Sequence, residues 1–271
     1  ITNGKKVDYD SGKRYCCQHD HGFNFEVPAQ AEPQLFEAVP LKEMGRFNHE
    51  AVAVDPRSGI VYQTEDRDNG LIYRYIPKTP GKLAEGGRLE ALCVAERKPV
   101  DTRNWSKQRF AVGEQHRVEW IEMDDVLSPH DDLRKRGYKA GAAKFARGEG
   151  MWYSEGQIFF ACTNGGKNDE NDASSGRLEL FIEPNDSALL EAADNLTMAP
   201  WGDLMLCEDR SGEVVRLIGV TMDGQLYTFA ANHVGGEFAG VTFSPDGSTL
   251  FVNLQHRNLS VAITGPWLRA S

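Results

Sequence analysis

A pattern that recurs four times along the chain limits the possible folds more than any other feature. Each copy has an acidic or amide residue, an alternating strand, a turn, and a second strand that ends in polar residues. The copies begin at Glu50, Glu149, Asn195 and Glu237, and the last three starting points are separated by 46 and 42 residues. This spacing is typical of β-propeller blades, whose sequence period is about 40–50 residues. The pattern therefore predicts an all-β fold of the β-propeller type.

The residues between the starting points are typical of short strands joined by tight turns. Pro56-Arg-Ser-Gly, Pro200-Trp-Gly-Asp and Pro245-Asp-Gly are turn sequences, because proline restricts φ and glycine tolerates positive φ. Runs of β-branched and aromatic residues lie between these turns. We predict a third strand after each pair, at 71–75, 177–181, 225–229 and 259–263. A β-sandwich is the alternative architecture, but it does not explain a polar residue that recurs at equivalent points.

The interval between the first two copies is longer than the others. Glu149 lies 99 residues after Glu50, about two periods, and the extra length includes the polar segment 97–115, which we interpret as an inserted loop. The segment 124–139 has the charge and the lack of turn residues expected of a short helix. Residues 21–28 are typical of an outer strand whose inner partners would precede Ile1, so we expect further sequence before it. We predict one propeller domain over residues 1–271, with four to five blades represented.

The composition restricts the possible partners. The chain has 271 residues and a formal net charge of −10, whereas nucleic-acid binding requires basic patches. No apolar run reaches the ~20 residues of a membrane-spanning helix. We therefore expect neither nucleic acid nor a membrane as a partner, and we expect a monomer. The excess of acidic groups indicates either a solvated surface or a site that is neutralised by cations.

The polar residues of the repeats predict a metal site. The starts of the first strands and the ends of the second strands converge near the axis of a propeller. The second group comprises the pairs Glu65-Asp66 and Glu208-Asp209, together with Thr163 and Asn253. Carboxylates crowded in this way repel one another, and Ca²⁺ neutralises them by taking about six to eight oxygen ligands. Iron and manganese also accept such ligands. The alternative for each acidic pair is a turn-forming role before Gly70 or Gly212.

Among the residues that are not carboxylates, Arg147 is the strongest candidate for a functional role. It lies two residues before Glu149, so the two side chains leave the strand on the same side. A guanidinium there could hold an anionic substrate beside the metal, because its fork geometry matches phosphate. The alternative is a salt bridge to a neighbouring carboxylate.

Six long strings carry a resemblance to a known family. They are GRFNHEAVAVDP (45–56), YQTEDR (62–67), FARGEG (145–150), APWGDLMLCED (199–209), EFAGVTFSPDGSTLFVN (237–253) and AITGPW (262–267). In this order they resemble the PhoX family of bacterial alkaline phosphatases, and the resemblance extends from about residue 21 to residue 267.

The resemblance implies a fold, an activity and a set of site residues. It implies a six-bladed propeller, exported by the twin-arginine route to the periplasm or the extracellular space, that hydrolyses small phosphomonoesters. It implies iron (Fe³⁺) and calcium (Ca²⁺) ions at the mouth of the channel. Carried over by position, the residues that resemble metal ligands are Glu50, Glu149, Glu208, Asp209, Glu237, Glu65 and Asp66. Arg147 and Asn232 resemble the catalytic groups that hold the substrate phosphate.

Two departures from the family leave other functions open. The family has a Trp-Gly-Thr…Thr-Cys-Glu-Glu segment, whose cysteine helps to bind iron, and this segment is absent from the present sequence. Ala231 replaces an arginine, which removes one positive charge. Both departures favour a calcium-stabilised propeller that binds a ligand without catalysis. A lactonase-like hydrolase with calcium alone is a further alternative, which explains the acidic channel but not the string Arg147-Gly-Glu149.

Overall fold

The strands and the turns between them form the architecture of the molecule. A computed structural model describes residues 4–7, 14–17, 20–163, 169–172, 177–210, 212–255 and 257–267, with the backbone alone for 4–7, 14–17 and 169–172. Successive strands pair antiparallel into small sheets, which we call blades 1 to 4. No helix among these residues is long and apolar enough to cross a membrane.

Blades 1 and 2 are joined into one curled sheet. Blade 1 consists of β3 (His49–Val54), β4 (Val61–Glu65), β5 (Ile72–Pro77) and β6 (Gly87–Val94). Blade 2 consists of β10 (Gly148–Ser154), β11 (Gln157–Cys162), β12 (Asp169–Asp172) and β13 (Arg177–Leu180). Between them, β8 (Gln115–Glu122) pairs with β6 on one side and with β13 on the other. The outer edges of both blades are thereby covered, which removes edges that could pair with other chains.

Blades 3 and 4 are separate sheets of four and three strands. Blade 3 consists of β14 (Ala193–Met198), β15 (Leu204–Glu208), β16 (Val215–Val220) and β17 (Leu226–Asn232). Blade 4 consists of β18 (Phe238–Phe243), β19 (Thr249–Leu254) and β20 (Leu259–Thr264). The first strands of neighbouring blades lie side by side: β3 contacts β10, β10 contacts β14, and β14 contacts β18. This arrangement confirms the predicted all-β propeller fold.

The remaining elements are short. They are the hairpin β1 (Gly4–Val7) and β2 (Arg14–Cys17), the 3₁₀ turns Lys42–Met44 and Leu83–Glu85, the parallel pair β7 (Val100–Asp101) and β9 (Ala143–Lys144), and the helix α1 (Leu133–Ala140). The helix covers the second half of the segment for which one was predicted, and it ends at Gly141, whose φ of 117° provides a left-handed C-cap.

Two predictions about strands are wrong. The runs predicted as third strands in blades 2 and 3 form the fourth strands β13 and β17, because β12 and β16 precede them. Residues 21–28 contain no strand, and their one strand-like contact is a bridge between Phe25 and Pro40. In blades 2 and 3 the pattern predicts strands where strands are found, but pattern alone does not reveal which neighbour pairs with each strand.

The core lies between the faces of adjacent blades. In β11 the successive residues Phe159 and Phe160 point to opposite faces, and both are buried. Phe160 packs in the cluster between blades 1 and 2, and Phe159 packs with Leu206 between blades 2 and 3. The other face of blade 1 is covered by residues 41–47 and by Leu133 of α1. Second strands such as β11 are therefore buried on both faces.

Candidate metal centre

A β-bulge near the start of each first strand positions the candidate ligands. In a bulge two residues of one strand face one residue of its neighbour. The pairing breaks after His49 in β3, after Gly148 in β10 and after Ala193 in β14. The first residues after these breaks are Glu50, Glu149 and Asp194, so the three blades present a carboxylate at the same structural position.

These three residues form the channel cluster. Each offers one carboxylate oxygen, and the three oxygens lie within 4.8 Å of one another. Glu149 is 3% exposed, Asp194 is partly buried and Glu50 is exposed. The cluster thus has a buried base and an open side.

Close approach of the first strands brings the cluster together. A Cβ atom on Gly150 would lie 2.5 Å from the backbone oxygen of Asp194, so only glycine permits this distance between β10 and β14. On the other side, the buried Thr64 donates a hydrogen bond to the backbone oxygen of Glu149 at 2.6 Å and accepts one from the backbone nitrogen of Ala51 at 2.9 Å. These contacts fix the spacing between the bulges of blades 1, 2 and 3.

The electrostatic environment of the cluster favours bound protons or a cation. Burial raises the pKa of Glu149 to about 8, and the Asp66 carboxylate adds to the effect. Burial also raises the pKa values of Glu50 and Asp194, with Asp194 and Asp209 respectively as the next cause. Three carboxylates that share a small space cannot all stay ionised without compensation. A hard cation would supply that compensation, since carboxylate oxygens are its preferred ligands.

Arg147 lies beside the cluster and compensates part of its charge. Its Nε donates to Asp66 Oδ1 at 2.8 Å, and its Nη2 lies 2.7 Å from Glu149 Oε1. The backbone of Arg147 has φ of 50°, and its nitrogen donates to the backbone oxygen of Arg67 at 2.8 Å. The side chain is thus at the predicted place, and it forms the salt bridges that were the alternative to substrate binding.

A second acidic pair lies next to the cluster. The carboxyl groups of Asp209 and Glu237 share a hydrogen bond, and this bond, followed by burial, raises the pKa of Glu237 to about 8. Asp194 also raises the pKa of Glu237, which indicates that the pair borders the cluster. The structure therefore brings together five of the seven predicted ligands, either in the cluster or directly beside it: Glu50, Glu149, Asp66, Asp209 and Glu237.

Glu208 lies outside the cluster and is fully engaged elsewhere. It has no exposed surface. The Arg216 guanidinium donates a hydrogen bond to each of its carboxylate oxygens, from Nε to Oε2 at 2.8 Å and from Nη2 to Oε1 at 2.5 Å. The backbone nitrogens of Arg216 and Glu191 donate to it as well, at 3.1 and 3.0 Å. These bonds fix the start of the third strand of blade 3.

Glu65 has the same role in blade 1, with weaker compensation. Its Oε2 accepts hydrogen bonds from the backbone nitrogen of Leu71 at 3.2 Å and from the Tyr73 hydroxyl at 3.1 Å. Its Oε1 lies 3.6 Å from Nη1 of Arg134, a residue of α1. Burial raises the pKa of Glu65 to about 7, and Arg134 opposes that rise. Neither Glu65 nor Glu208 is in the channel cluster, so their assignment as ligands stays a prediction that this geometry does not favour.

Asn232 is bonded to backbone groups of its own blade and the following turn, and its role in holding a substrate phosphate stays a prediction. The amide of Asn232 donates to the backbone oxygens of Gly235 and Gly236, at 3.1 and 2.7 Å, and accepts from the backbone nitrogen of Val234. None of these bonds goes to a carboxylate of the cluster.

In blade 3 the cluster position belongs to Asp194 and not to Asn195, because the bulge shifts the strand by one residue. The sequence signal for Asp194 was its acidic side chain next to the predicted amide.

The fourth blade lacks a carboxylate at the equivalent bulge. The pairing of β18 breaks after Ala239, so Gly240 takes the position that Glu50, Glu149 and Asp194 hold in the other blades. Gly240 has φ of 66°, a left-handed conformation that side chains other than asparagine and aspartate rarely adopt. Glu237, which was predicted to be equivalent to these residues, instead precedes the strand and pairs with Asp209.

The donor set fits a cation. Glu149 Oε1 is buried and accepts no well-aligned hydrogen bond, and its compensation is the Arg147 guanidinium 2.7 Å away, which also serves Asp66. A buried carboxylate that shares its one cation in this way is costly. The oxygens of the cluster are hard ligands that suit Ca²⁺. Cys93, Cys162 and Cys207 are buried, and each lies in a strand. Among the residues that the structure describes, no thiolate faces the cluster.

Comparison with known proteins gives a family and distant structural similarities. The family model of alkaline phosphatase PhoX matches residues 2–180 and 178–258. Among curated proteins, none matches the sequence with significance. The calcium-binding protein regucalcin from Agrobacterium tumefaciens is 14% identical, with a TM-score of 0.44, and the match covers 83% of this chain and 56% of that structure.

A gluconolactonase from Xanthomonas campestris is also 14% identical, with a TM-score of 0.43, and the match covers 92% of this chain and 60% of that structure. This chain thus covers less than two thirds of the length of either protein. Similarities at these scores support no inference about ligand or reaction.

Proposed function

This chain belongs to the alkaline phosphatase PhoX family, and from that membership we propose that it is a metal-dependent hydrolase of small phosphomonoesters. The observation that carries the proposal is the channel cluster, in which Glu50, Glu149 and Asp194 place oxygens within 4.8 Å of one another. A cation bound there would polarise the phosphoryl oxygens of a substrate. Its ligands would be these three residues, with the pair Asp209 and Glu237 beside them.

Arg147 is the proposed substrate-binding residue. In the described arrangement its guanidinium neutralises Glu149 and Asp66. Once Glu149 has a cation as its partner, the Nη2 atom of Arg147, which otherwise pairs with Glu149, becomes available to a phosphate oxygen. A positive group held there would stabilise the charge that develops on the phosphoryl oxygens in the transition state. The exposed side of the cluster, at Glu50, gives the substrate its path of entry.

Calcium is the cation that the described ligands favour, because they are all carboxylates. Iron as an additional ion, and export to the periplasm or the extracellular space, are proposed from family membership. Metal analysis of the purified protein by mass spectrometry tests the first, and fractionation of the producing cells tests the second.

The experiment compares Glu149→Gln with Glu122→Gln. Both changes remove one carboxylate charge, but Glu122 is an exposed residue at the end of β8. Calcium binding is measured by calorimetry, and hydrolysis of p-nitrophenyl phosphate is followed with calcium and iron supplied. We expect Glu149→Gln to lose both properties and Glu122→Gln to keep both. Calcium affinity that is unchanged in Glu149→Gln would refute the site, and wild-type protein without hydrolysis would refute the reaction.

A second candidate is a calcium-stabilised propeller that binds a ligand without catalysis. The observation that favours it is the double pairing of Arg147, which leaves its guanidinium engaged with two carboxylates. Arg147→Ala separates the candidates. For a phosphatase, removing this charge should lower kcat roughly 10²–10³-fold, while calcium affinity does not fall. A binding propeller would hydrolyse nothing before or after the change.

A further inference from the structure

A cavity of about 420 Å³ lies on the face of blade 1 that is turned away from blade 2. Segments 20–23, 40–46 and 125–129 enclose it. Its volume is within the range of sites for small molecules, which is about 300–1,000 Å³. It includes no residue of the channel cluster and no residue of the acidic pair beside the cluster.

The cavity contains a buried guanidinium that is incompletely bonded. The side chain of Arg46 is 2% exposed, and its Nε donates to the backbone oxygen of His21 at 2.8 Å. The backbone nitrogen of Arg46 donates to the backbone oxygen of Val126 at 2.8 Å, so the residue is held at both ends. Its Nη2 is buried without a hydrogen-bond partner. An unsatisfied buried donor of this kind is costly, more so on a charged group.

Asp20 is a poor partner for this nitrogen. Its Oδ1 lies 3.4 Å from Arg46 Nη2, and its side chain is 54% exposed. An ion pair with one exposed member contributes little, because water competes for it. Asp20 therefore covers the guanidinium without satisfying it, and a better-placed carboxylate would replace it.

The walls of the cavity define the rest of the ligand. Phe23, Pro40 and Leu127 supply apolar surface, and Lys42 supplies a second positive charge. Asp20 and Asp125 also line the cavity, so a dianion such as phosphate would be repelled by two acidic groups. A single carboxylate on an apolar body matches both the guanidinium and the walls, because guanidinium and carboxylate pair in planar fork geometry.

We propose that this cavity binds a small organic monocarboxylate, with its carboxylate on Arg46 in place of Asp20 and its apolar body against Phe23, Pro40 and Leu127. The site is independent of the channel cluster, and its ligand is neither the substrate nor a metal ligand of the proposed phosphatase.

The test uses 3-phenylpropanoate as the probe, with 3-phenylpropanamide and inorganic phosphate as matched controls. Binding to the whole protein is measured by ligand-observed NMR and by calorimetry. We expect the carboxylate to bind at least ~tenfold more tightly than the amide, since the charge-assisted bonds are lost with the amide. We expect phosphate not to compete with it. Equal binding of carboxylate and amide would overturn the proposal, as would displacement of the probe by phosphate.

Two variants locate the site without disturbing the buried arginine. Asp20→Asn removes the competing carboxylate, so the probe should bind several-fold more tightly. Leu127→Glu places a negative charge on an exposed wall of the cavity, where Leu127 is 45% exposed, and the probe should bind several-fold more weakly. Glu149→Gln serves as the control and should leave probe affinity unchanged. Affinity that does not respond to Asp20→Asn or to Leu127→Glu would place the probe elsewhere and refute the site.

Discussion

Glu149 and Glu208 are both buried carboxylates near the same end of neighbouring blades, but the chain compensates their charges differently. Four hydrogen bonds satisfy Glu208: two from the Arg216 guanidinium, and two from the backbone nitrogens of Glu191 and Arg216. Glu149 has Arg147 on one oxygen, shares it with Asp66, and faces Glu50 and Asp194. The first arrangement is complete within the protein and fixes the start of β16. The second is completed only by a further positive charge, which is what a metal site requires.

The comparison teaches that burial of an acid does not by itself indicate function. Glu65 lies between the two cases: it has a backbone donor and a hydroxyl donor, yet its pKa is raised to about 7. Ranked by compensation, Glu208 is the most satisfied and Glu149 the least. The following predictions test that ranking, from the largest expected change to the smallest.

The largest expected change in stability comes from Glu208→Gln. It leaves the Arg216 guanidinium, whose side chain is 14% exposed, without its carboxylate. Breaking a buried pair in this way costs about 3 kcal/mol or more of the free energy of unfolding. Urea denaturation followed by circular dichroism measures the loss.

Glu191→Gln is the matched control for this change. Glu191 pairs with Arg210 at 3.3 Å, but its side chain is 44% exposed, so the loss should be below about 1 kcal/mol. If the two variants lose the same stability, the distinction between the compensated buried acid and an exposed one is wrong.

The second change is the pH dependence of metal-free protein. The folded pKa of Glu149 is about 8 and its ordinary value is 4.5, so the folded state binds this proton more tightly than the unfolded state. The corresponding stability is fully present below pH 4.5 and is lost as the pH rises through 8. Glu237 contributes with the same sign, because its pKa is also about 8.

Thermal denaturation in EDTA at pH 5 and pH 8 measures this dependence. Because other groups titrate as well, the informative quantity is the difference between wild type and Glu149→Gln. We expect the variant to gain stability over wild type on going from pH 5 to pH 8. Calcium should stabilise wild type more at pH 8 than at pH 5, and a difference of the opposite sign in either experiment would contradict the assignment.

The smallest change concerns two glycines in the bulges. Gly150→Ala forces β10 away from β14, because the new methyl would lie 2.5 Å from the Asp194 backbone oxygen. It should cost about 1–3 kcal/mol and weaken calcium binding, since it separates Glu149 from Asp194.

Gly240→Ala is the counterpart in blade 4. The left-handed φ of Gly240 makes alanine unfavourable by about 1–2 kcal/mol, but no carboxylate depends on this bulge, so calcium affinity should stay the same. The calcium affinity of both variants is measured by calorimetry. Equal effects of the two changes on that affinity would show that the bulges do not set the geometry of the cluster.

Much of the fold follows from local sequence. The turns at Pro56–Gly59 and Pro245–Gly247 are where their residues predict them, with φ of 72° at Gly59 and 69° at Gly247. The strands that these turns join are the first and second strands of blades 1 and 4. By contrast, the repeat pattern does not predict β8, since its pairing with both β6 and β13 is a long-range contact that periodicity does not encode.

The sequence predicts that carboxylates of several blades converge, but it does not predict every member of the cluster. Glu50 and Glu149 were placed correctly at equivalent positions. Asn195 was chosen where Asp194 lies, because a bulge adds one residue and the alternation of strands then shifts by one. In the pairs Glu65-Asp66 and Glu208-Asp209, successive side chains take different directions, and the sequence offers no reason to prefer either member. Arg134 and Arg216, which bind the first member of each pair, come from elements that follow later in the chain.

The sequence by itself determined the repeated blades, the turns between their first strands and the concentration of carboxylates at one end of each blade, because these properties depend on residues that are close in the chain. The tertiary structure alone decided which carboxylates meet and which are neutralised. That outcome depends on the bulges, on Gly150, which lets two strands approach, and on arginines from other elements. Long-range packing selects which acids stay uncompensated, and in this protein that selection distinguishes the candidate metal centre from the structural carboxylates.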